Sequence, residues 1–191
     1  MNDFVAPMQK KRGRQPDKAL AAMRSALLTL VEQSQFDRIT TRDIIQEARV
    51  SPATFYRHYR SKTALLHAVA DNEIEILVNL SSAATASPRK VSLAQIRHLD
   101  AHRSLWSVLL NGGAASYVRE GFIRRLTREY SNERWKLETW LPNELAIRFS
   151  VAAMVEIVTW WLDQSEPQPI ETIAEMLERL TVQPTLAAMV K

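Results

Sequence analysis

The stretch Thr41-Arg42-Asp43-Ile44-Ile45-Gln46-Glu47-Ala48-Arg49-Val50-Ser51-Pro52-Ala53-Thr54-Phe55-Tyr56-Arg57-His58-Tyr59 reads as two short helices joined by a tight turn. Thr40 or Thr41 can start the first, its hydroxyl accepting a backbone N–H that has no partner inside the helix. Ile44, Ile45 and Ala48 then fall on one side at helical spacing and leave the other side polar. Val50 plugs the turn, Ser51 caps the second helix, and Pro52 takes the first helical position, where its missing N–H costs nothing. In the second helix Ala53 and Phe55 supply apolar packing. Pro52, Thr54 and Tyr56, with Arg57 and His58, are left for an outer face that fits a major groove about 12 Å wide. Helices below about 12 residues are marginal alone, so these two must be held by neighbours. The pattern is that of a helix-turn-helix for DNA.

The neighbours are legible on both sides. Upstream, Leu20, Met23, Ala26, Leu27, Leu30 and Val31 predict an amphipathic helix over 17–33 that covers the motif. Downstream, Ser61 can cap a longer helix running from Lys62 towards position 80, with Leu65, Leu66, Val69, Ile76, Leu77 and Leu80 as its apolar positions. Charge follows the motif. Residues 1–62 carry 12 Lys and Arg against 6 Asp and Glu, a balance of +6, whereas 63–191 carry 13 against 15, or −2. Lys10-Lys11-Arg12-Gly13-Arg14 has no apolar periodicity and reads as a mobile arm, either reaching phosphates and the minor groove or simply solubilising the chain.

Three runs carry a family resemblance. Phe36-Asp37-Arg38-Ile39-Thr40-Thr41-Arg42-Asp43-Ile44, then Val50-Ser51-Pro52-Ala53-Thr54-Phe55-Tyr56-Arg57-His58-Tyr59, then Ser61-Lys62-Thr63-Ala64-Leu65-Leu66 are similar in order and residue type to the N-terminal DNA-binding domain of the TetR/AcrR family of bacterial transcriptional regulators. The resemblance covers 17–80. It implies an all-α chain in three parts: a basic arm over 1–16, a three-helix DNA-binding domain over 17–62, and a larger helical effector-binding and dimerisation domain over 63–191. It further implies a homodimer that represses from a palindromic double-stranded DNA operator and is released by a small-molecule effector. Carried over by position, Thr41 and Arg42 would touch phosphates, Ser51, Pro52, Thr54 and Tyr56 would face the groove, and Tyr59 and Lys62 would meet the backbone again. One departure is visible. Many members have glycine in the turn where this chain has Arg49, and a non-glycine residue can take the left-handed conformation there at a cost of about 1–2 kcal/mol.

Length and composition bound the rest. A chain of 191 residues with 46% apolar content can bury a proper core in one small and one larger domain. Having no cysteine, it has no disulfide framework, thiol nucleophile or thiolate metal site. The N-terminus lacks the apolar stretch of a signal peptide. The longest apolar run, 151–162, is interrupted by Glu156 and falls short of the about 20 residues that span a bilayer. The expectation is a cytoplasmic protein without a membrane role. No phosphate loop, nucleophile elbow, metal-ligand set or dinucleotide fingerprint is visible, so neither enzyme activity nor a cofactor is expected.

Beyond position 80 the chain reads as helices separated by clear breaks. A loop over 81–90 precedes one or two helices over 92–111, and Gly112-Gly113 interrupts them. Tyr117, Phe122, Leu126, Tyr130, Leu137 and Trp140 mark a helix over 116–141 that Pro142 ends. A helix over 143–164 is apolar around much of its circumference, and Glu166-Pro167-Gln168-Pro169 separates it from a last one over 170–180. A helix apolar on more than one face needs more than one partner, so 149–162 should pack inside its own domain and also against something else, with a twofold interface the simplest answer and an ordinary monomeric core the alternative. In the resembled family the last two long helices form a four-helix bundle between subunits. That assigns Val151, Val155, Val158, Trp161, Leu162, Ile173, Met176, Leu177 and Leu180 to the dimer interface.

Trp106, Tyr117, Phe122, Trp140, Phe149, Met154 and Trp160, with His102 and the further indole of Trp135, are candidates to line a pocket for a flat or greasy effector. Such side chains are equally routine core material. His98 and His102 share a helical face at the four-residue spacing of metal sites, but no third ligand accompanies them in the sequence, so they read as surface or core histidines and no metal is expected. A ligand-binding coactivator or adaptor that keeps the scaffold without operator binding is the second reading. Groove-facing Thr54 and Tyr56 and the basic balance argue against it.

Overall fold

The computed structural model describes residues 15–82, 87–130 and 140–189, and every regular element among them is helical. The arm residues Lys10 to Arg14, and Trp135 and Leu137, lie outside the described residues. The chain separates into two compact units with the boundary at Leu65/Leu66.

In the first unit, α1 (Gln15–Gln33) buries Met23, Ala26, Leu27 and Val31 on one stripe, as their spacing predicts. A single 3₁₀ turn (Phe36–Arg38) then leads through buried Ile39 into α2 (Thr41–Glu47) and α3 (Pro52–His58). Both short helices pack on α1 and on each other. Leu27, Ile44 and Phe55 are wholly buried at that junction, each stabilising the unit by about 1.5–3 kcal/mol, which supplies the tertiary support that helices of this length lack. Ser61 accepts the Ala64 N–H at 3.1 Å and so starts α4 (Lys62–Ser82) as expected.

The second unit holds most of α4, with α5 (Pro88–Ala101), α6 (Arg103–Asn111), α7 (Ala115–Tyr130), α8 (Asn143–Leu162), α9 (Ile170–Leu177) and α10 (Gln183–Met189). The expected loop over 81–90 is shorter than the reading allowed, because α4 continues to Ser82 and α5 already starts at Pro88. α5 and α6 are two helices because His102 leaves the helical region, at φ −122° and ψ 35°. α5 packs most extensively on α9, where the Arg89 guanidinium donates to the Glu171 carbonyl at 2.9 Å. α8 packs on α6, α7 and α9. Where α4 approaches α7, Gly121 admits the Ile74 side chain to a place that a methyl group would fill.

Two features depart from the expected elements. The last helix does not stop near 180 but passes through a π turn (Glu178–Val182) into α10. Pro184 accounts for this. It has no N–H to offer Leu180, and its ring would crowd that carbonyl, so the ladder widens one turn earlier. Second, α8 is twenty residues long and contains an 18-residue window of mean hydropathy 1.6, long and apolar enough by length and composition to cross a membrane. The run from 151 to 162 alone falls short of that length. α8 carries Glu144, Arg148 and Glu156 and buries Val151, Val158 and Trp161, with a third of that window buried.

Candidate nucleic-acid interface

The α2–α3 unit is pinned by local hydrogen bonds that its residue types dictate. Thr40 caps α2 in a reciprocal box: its Oγ accepts the Asp43 N–H at 3.2 Å, and Asp43 Oδ2 accepts the Thr40 N–H at 2.8 Å. The bond from the Thr40 backbone, followed by the one from its hydroxyl, holds the Asp43 carboxyl below the usual carboxylate range. Ser51 caps α3 by accepting the Thr54 N–H at 3.1 Å, and Pro52 takes the first turn. Between them Arg49 adopts φ 52°, the only positive φ at a non-glycine residue among those described. The left-handed turn is therefore built without the glycine usual in it, and α3 leaves α2 at the angle this conformation sets.

Of the residues read as DNA-facing, Arg42, Ser51, Pro52, Tyr56 and Arg57 are exposed, and Thr41 and Thr54 are half-buried. The Thr54 hydroxyl sits 2.9 Å from that of Ser51. Four residues differ from the reading. Ala53, expected to pack inward, is exposed beside Pro52, Tyr56 and Arg57, where the helical phase of Pro52 and Tyr56 places it. His58 is turned inward, its Nε2 buried with no hydrogen-bond partner among the described residues, so it does not belong to the outer face. Tyr59 is only 8% exposed, its ring 6.0 Å from that of Phe55, which makes it chiefly the floor of α3 rather than a surface group. Lys62 Nζ donates to the carbonyls of Phe36, Asp37 and Ile39 at 2.8, 3.1 and 2.8 Å and lies over the Phe36 ring at 4.6 Å. All three of its donors are committed to tying α4 to the 3₁₀ turn, so it is not a free cation waiting for a phosphate.

Residues 25–69, spanning the end of α1 through the first turns of α4, match the family model described as bacterial regulatory proteins, tetR family. Over these residues the chain is similar to the TetR family. It is 24% identical over 93% of its length to YxbF, an uncharacterized HTH-type transcriptional regulator of Bacillus subtilis (strain 168), and spans about half the length of that relative (50%). Among solved structures, a TetR transcriptional regulator from Rhodococcus sp. RHA1 shares the fold, with a TM-score of 0.65, 18% identity, and coverage of 93% of this chain and 100% of that one. So does RolR solved in complex with resorcinol, with a TM-score of 0.55, 19% identity, and coverage of 93% and 94%.

In the second unit, the residues expected at the pocket and at the dimer interface are redistributed. Trp106 and Phe122, stacked at 6.3 Å, and Met154 do share an apolar crevice with Leu77, Leu99 and Leu110. Val155 and Val158, assigned to the interface, line the same crevice. Its cavity volume of about 10 Å³ holds roughly one water molecule. Trp140, Phe149 and Trp160, assigned to the pocket, are instead 81%, 56% and 44% exposed. Val151, Trp161, Leu162, Ile173 and Leu177, assigned to the interface, are buried within their own chain; Met176 is half-buried and Leu180 exposed. On α8 the expected faces are exchanged for Phe149, Trp160 and the buried interface candidates, while Met154 lines the crevice. Both faces are apolar, and composition does not say which one the domain keeps.

Tyr117 is also elsewhere than expected. It stacks on His67 at 3.9 Å and donates its hydroxyl to Asp71 at 2.8 Å; burial first, and then Asp71, raise its pKa. Trp161 is held by a different logic, its indole N–H donating to the Gln168 carbonyl at 2.9 Å while Arg103 lies 4.6 Å over its ring. His102 lies beside His98 and is not among the residues that line the crevice.

Proposed function

We propose that the chain is a ligand-responsive repressor that binds an inverted-repeat operator as a homodimer. Residues 17–62 form the reading head and 63–191 the effector and dimer domain; the separation of the chain near Leu65 supports that division. The observation that carries the reading is the outer face of α3. Pro52, Ala53, Tyr56 and Arg57 are exposed together on a helix whose start is fixed by Ser51 and whose inner side is anchored by wholly buried Phe55. On DNA, Thr41 and Arg42 set the register on phosphates, while Ser51, Pro52, Ala53, Thr54, Tyr56 and Arg57 meet base edges and thymine methyls.

The dimer reading rests on α8. Leu145, Phe149 and Trp160 lie exposed on one stripe of that helix, and Leu180 is exposed on the π turn that packs against it. Large apolar side chains clustered on one face mark an association surface, and a twofold partner places two reading heads on half-sites about 34–36 Å apart. A small apolar or aromatic effector enters at the Trp106–Phe122–Met154 crevice, which it must widen. The flexible Met154 side chain is suited to yield, and the resorcinol complex of a relative of the same fold supports an aromatic ligand. Release follows only if the ligand prefers a head spacing that no longer fits the operator. The site of action is the cytoplasm, where the operator is.

Selection from a random DNA library with the purified protein tests the proposal, with Tyr56→Ala alongside. Enrichment of an inverted repeat that the variant fails to enrich is expected. Absence of enrichment at low salt would refute operator binding.

A further inference from the structure

His98 and His102 acquire in the structure the third ligand that the sequence did not show. Glu73 of α4 reaches across to α5, where its Oε2 lies 2.7 Å from His98 Nε2. The His98 and His102 rings are 4.9 Å apart between centroids, and one ligand atom from each of the three residues lies within 4.8 Å of the others. Glu73 is only 5% exposed, so its carboxylate is a buried charge that needs a cationic or hydrogen-bonding partner. The His102 ring makes no hydrogen bond among the described residues and is free to turn. We infer that Glu73, His98 and His102 form a binding site for a late first-row divalent cation, with Zn²⁺ as the best fit.

The donor set carries the choice of ion. Two imidazoles and one carboxylate are borderline ligands that select zinc and its late first-row neighbours over magnesium or calcium, which take all-oxygen sites. Zinc–nitrogen and zinc–oxygen bonds of about 2.0–2.2 Å put neighbouring ligand atoms of a tetrahedron about 3.3 Å apart. The Glu73–His98 pair must therefore open by a few tenths of an ångström, while the His102 ring swings inward; rotation about the terminal bond of Glu73 is soft enough to permit the first movement. The hydrogen now shared between His98 Nε2 and Glu73 makes way for the ion, moving to Nδ1 or leaving to solvent. Three protein ligands leave a fourth position for water or for a donor atom of a bound ligand.

The inference does not depend on operator binding, and its test uses no DNA. Full-length, tag-free protein is stripped with chelator and titrated with Zn²⁺ by calorimetry, and with Co²⁺ by visible absorption. The expected result is one ion per chain with dissociation in the micromolar range or tighter, and visible Co²⁺ bands of the intensity typical of tetrahedral coordination. His102→Ala should weaken binding at least tenfold with an unchanged melting temperature in the ion-free state, since that ring supports no hydrogen bond. Glu73→Gln should also weaken binding at least tenfold; if it fails to fold, the His102 variant still decides. Absence of saturable binding up to about 100 μM Zn²⁺, or undiminished affinity in His102→Ala, would overturn the assignment.

Discussion

Replacing Lys62 by methionine separates a structural cation from a DNA-binding one. Methionine keeps an unbranched stem of similar length but removes an ammonium that donates to three carbonyls, of Phe36, Asp37 and Ile39, and lies over the Phe36 ring. A hydrogen bond to a charged group contributes about 1.5–3 kcal/mol net. The bond to Asp37 is exposed and water can replace it, so the two part-buried bonds, to Phe36 and Ile39, dominate. They share one ammonium, whose rehydration on unfolding offsets part of their sum, and the expected loss is about 2–3 kcal/mol. For a chain of this size that lowers the melting temperature by roughly 5–10 °C. The companion assay is operator affinity against salt, well below both melting temperatures. A phosphate contact adds about 0.9 to the slope of log K on log salt, so a lysine already engaged by backbone carbonyls leaves that slope unchanged. A slope reduced by about 0.9 for each Lys62, with an unshifted melting temperature, would refute the reasoning.

Arg49→Gly should raise stability by about 0.5–1 kcal/mol, because relief of a left-handed residue worth about 1–2 kcal/mol exceeds the added chain entropy of glycine; a lower denaturation midpoint would count against strain at φ 52°. Phe149→Glu, on the exposed stripe of α8, should yield monomers by sedimentation with little change in helicity, whereas a dimer of undiminished affinity would move the interface elsewhere. Asp43→Ala tests the α2 cap through its pH dependence. A carboxyl whose folded pKa is lowered contributes stability that is complete above the ordinary carboxylate range and is lost as pH falls through the folded pKa. The wild-type advantage over the variant should accordingly shrink in acid, and a gap that stays constant from neutral pH down to about pH 2 would exclude this origin.

What the sequence by itself determined is what local chemistry can write. Thr40, Ser51 and Ser61 announce helix starts through bonds made within three residues, Pro52 does so by lacking an N–H, and the spacing of Met23, Leu27 and Val31 announces one buried stripe. The helix-turn-helix and the succession of helices follow from those short-range rules, whereas the left-handed turn at Arg49 is expected only from the family resemblance. What only tertiary structure decided is everything that depends on which distant element arrives. Lys62 was read as a phosphate contact until three carbonyls from positions 36–39 came within its reach, and Tyr59 went to the floor of α3 because Phe55 did. On α8 the two apolar faces look alike in one dimension, and packing against α6, α7 and α9 selected Val151, Val158 and Trp161 for the inside while leaving Phe149 and Trp160 in solvent. His98 and His102 were a pair until α4 brought Glu73 to 2.7 Å. Hydrogen bonds within a turn are encoded at a separation of a few residues, whereas burial and ligand sets are properties of surfaces that meet only once the chain has folded.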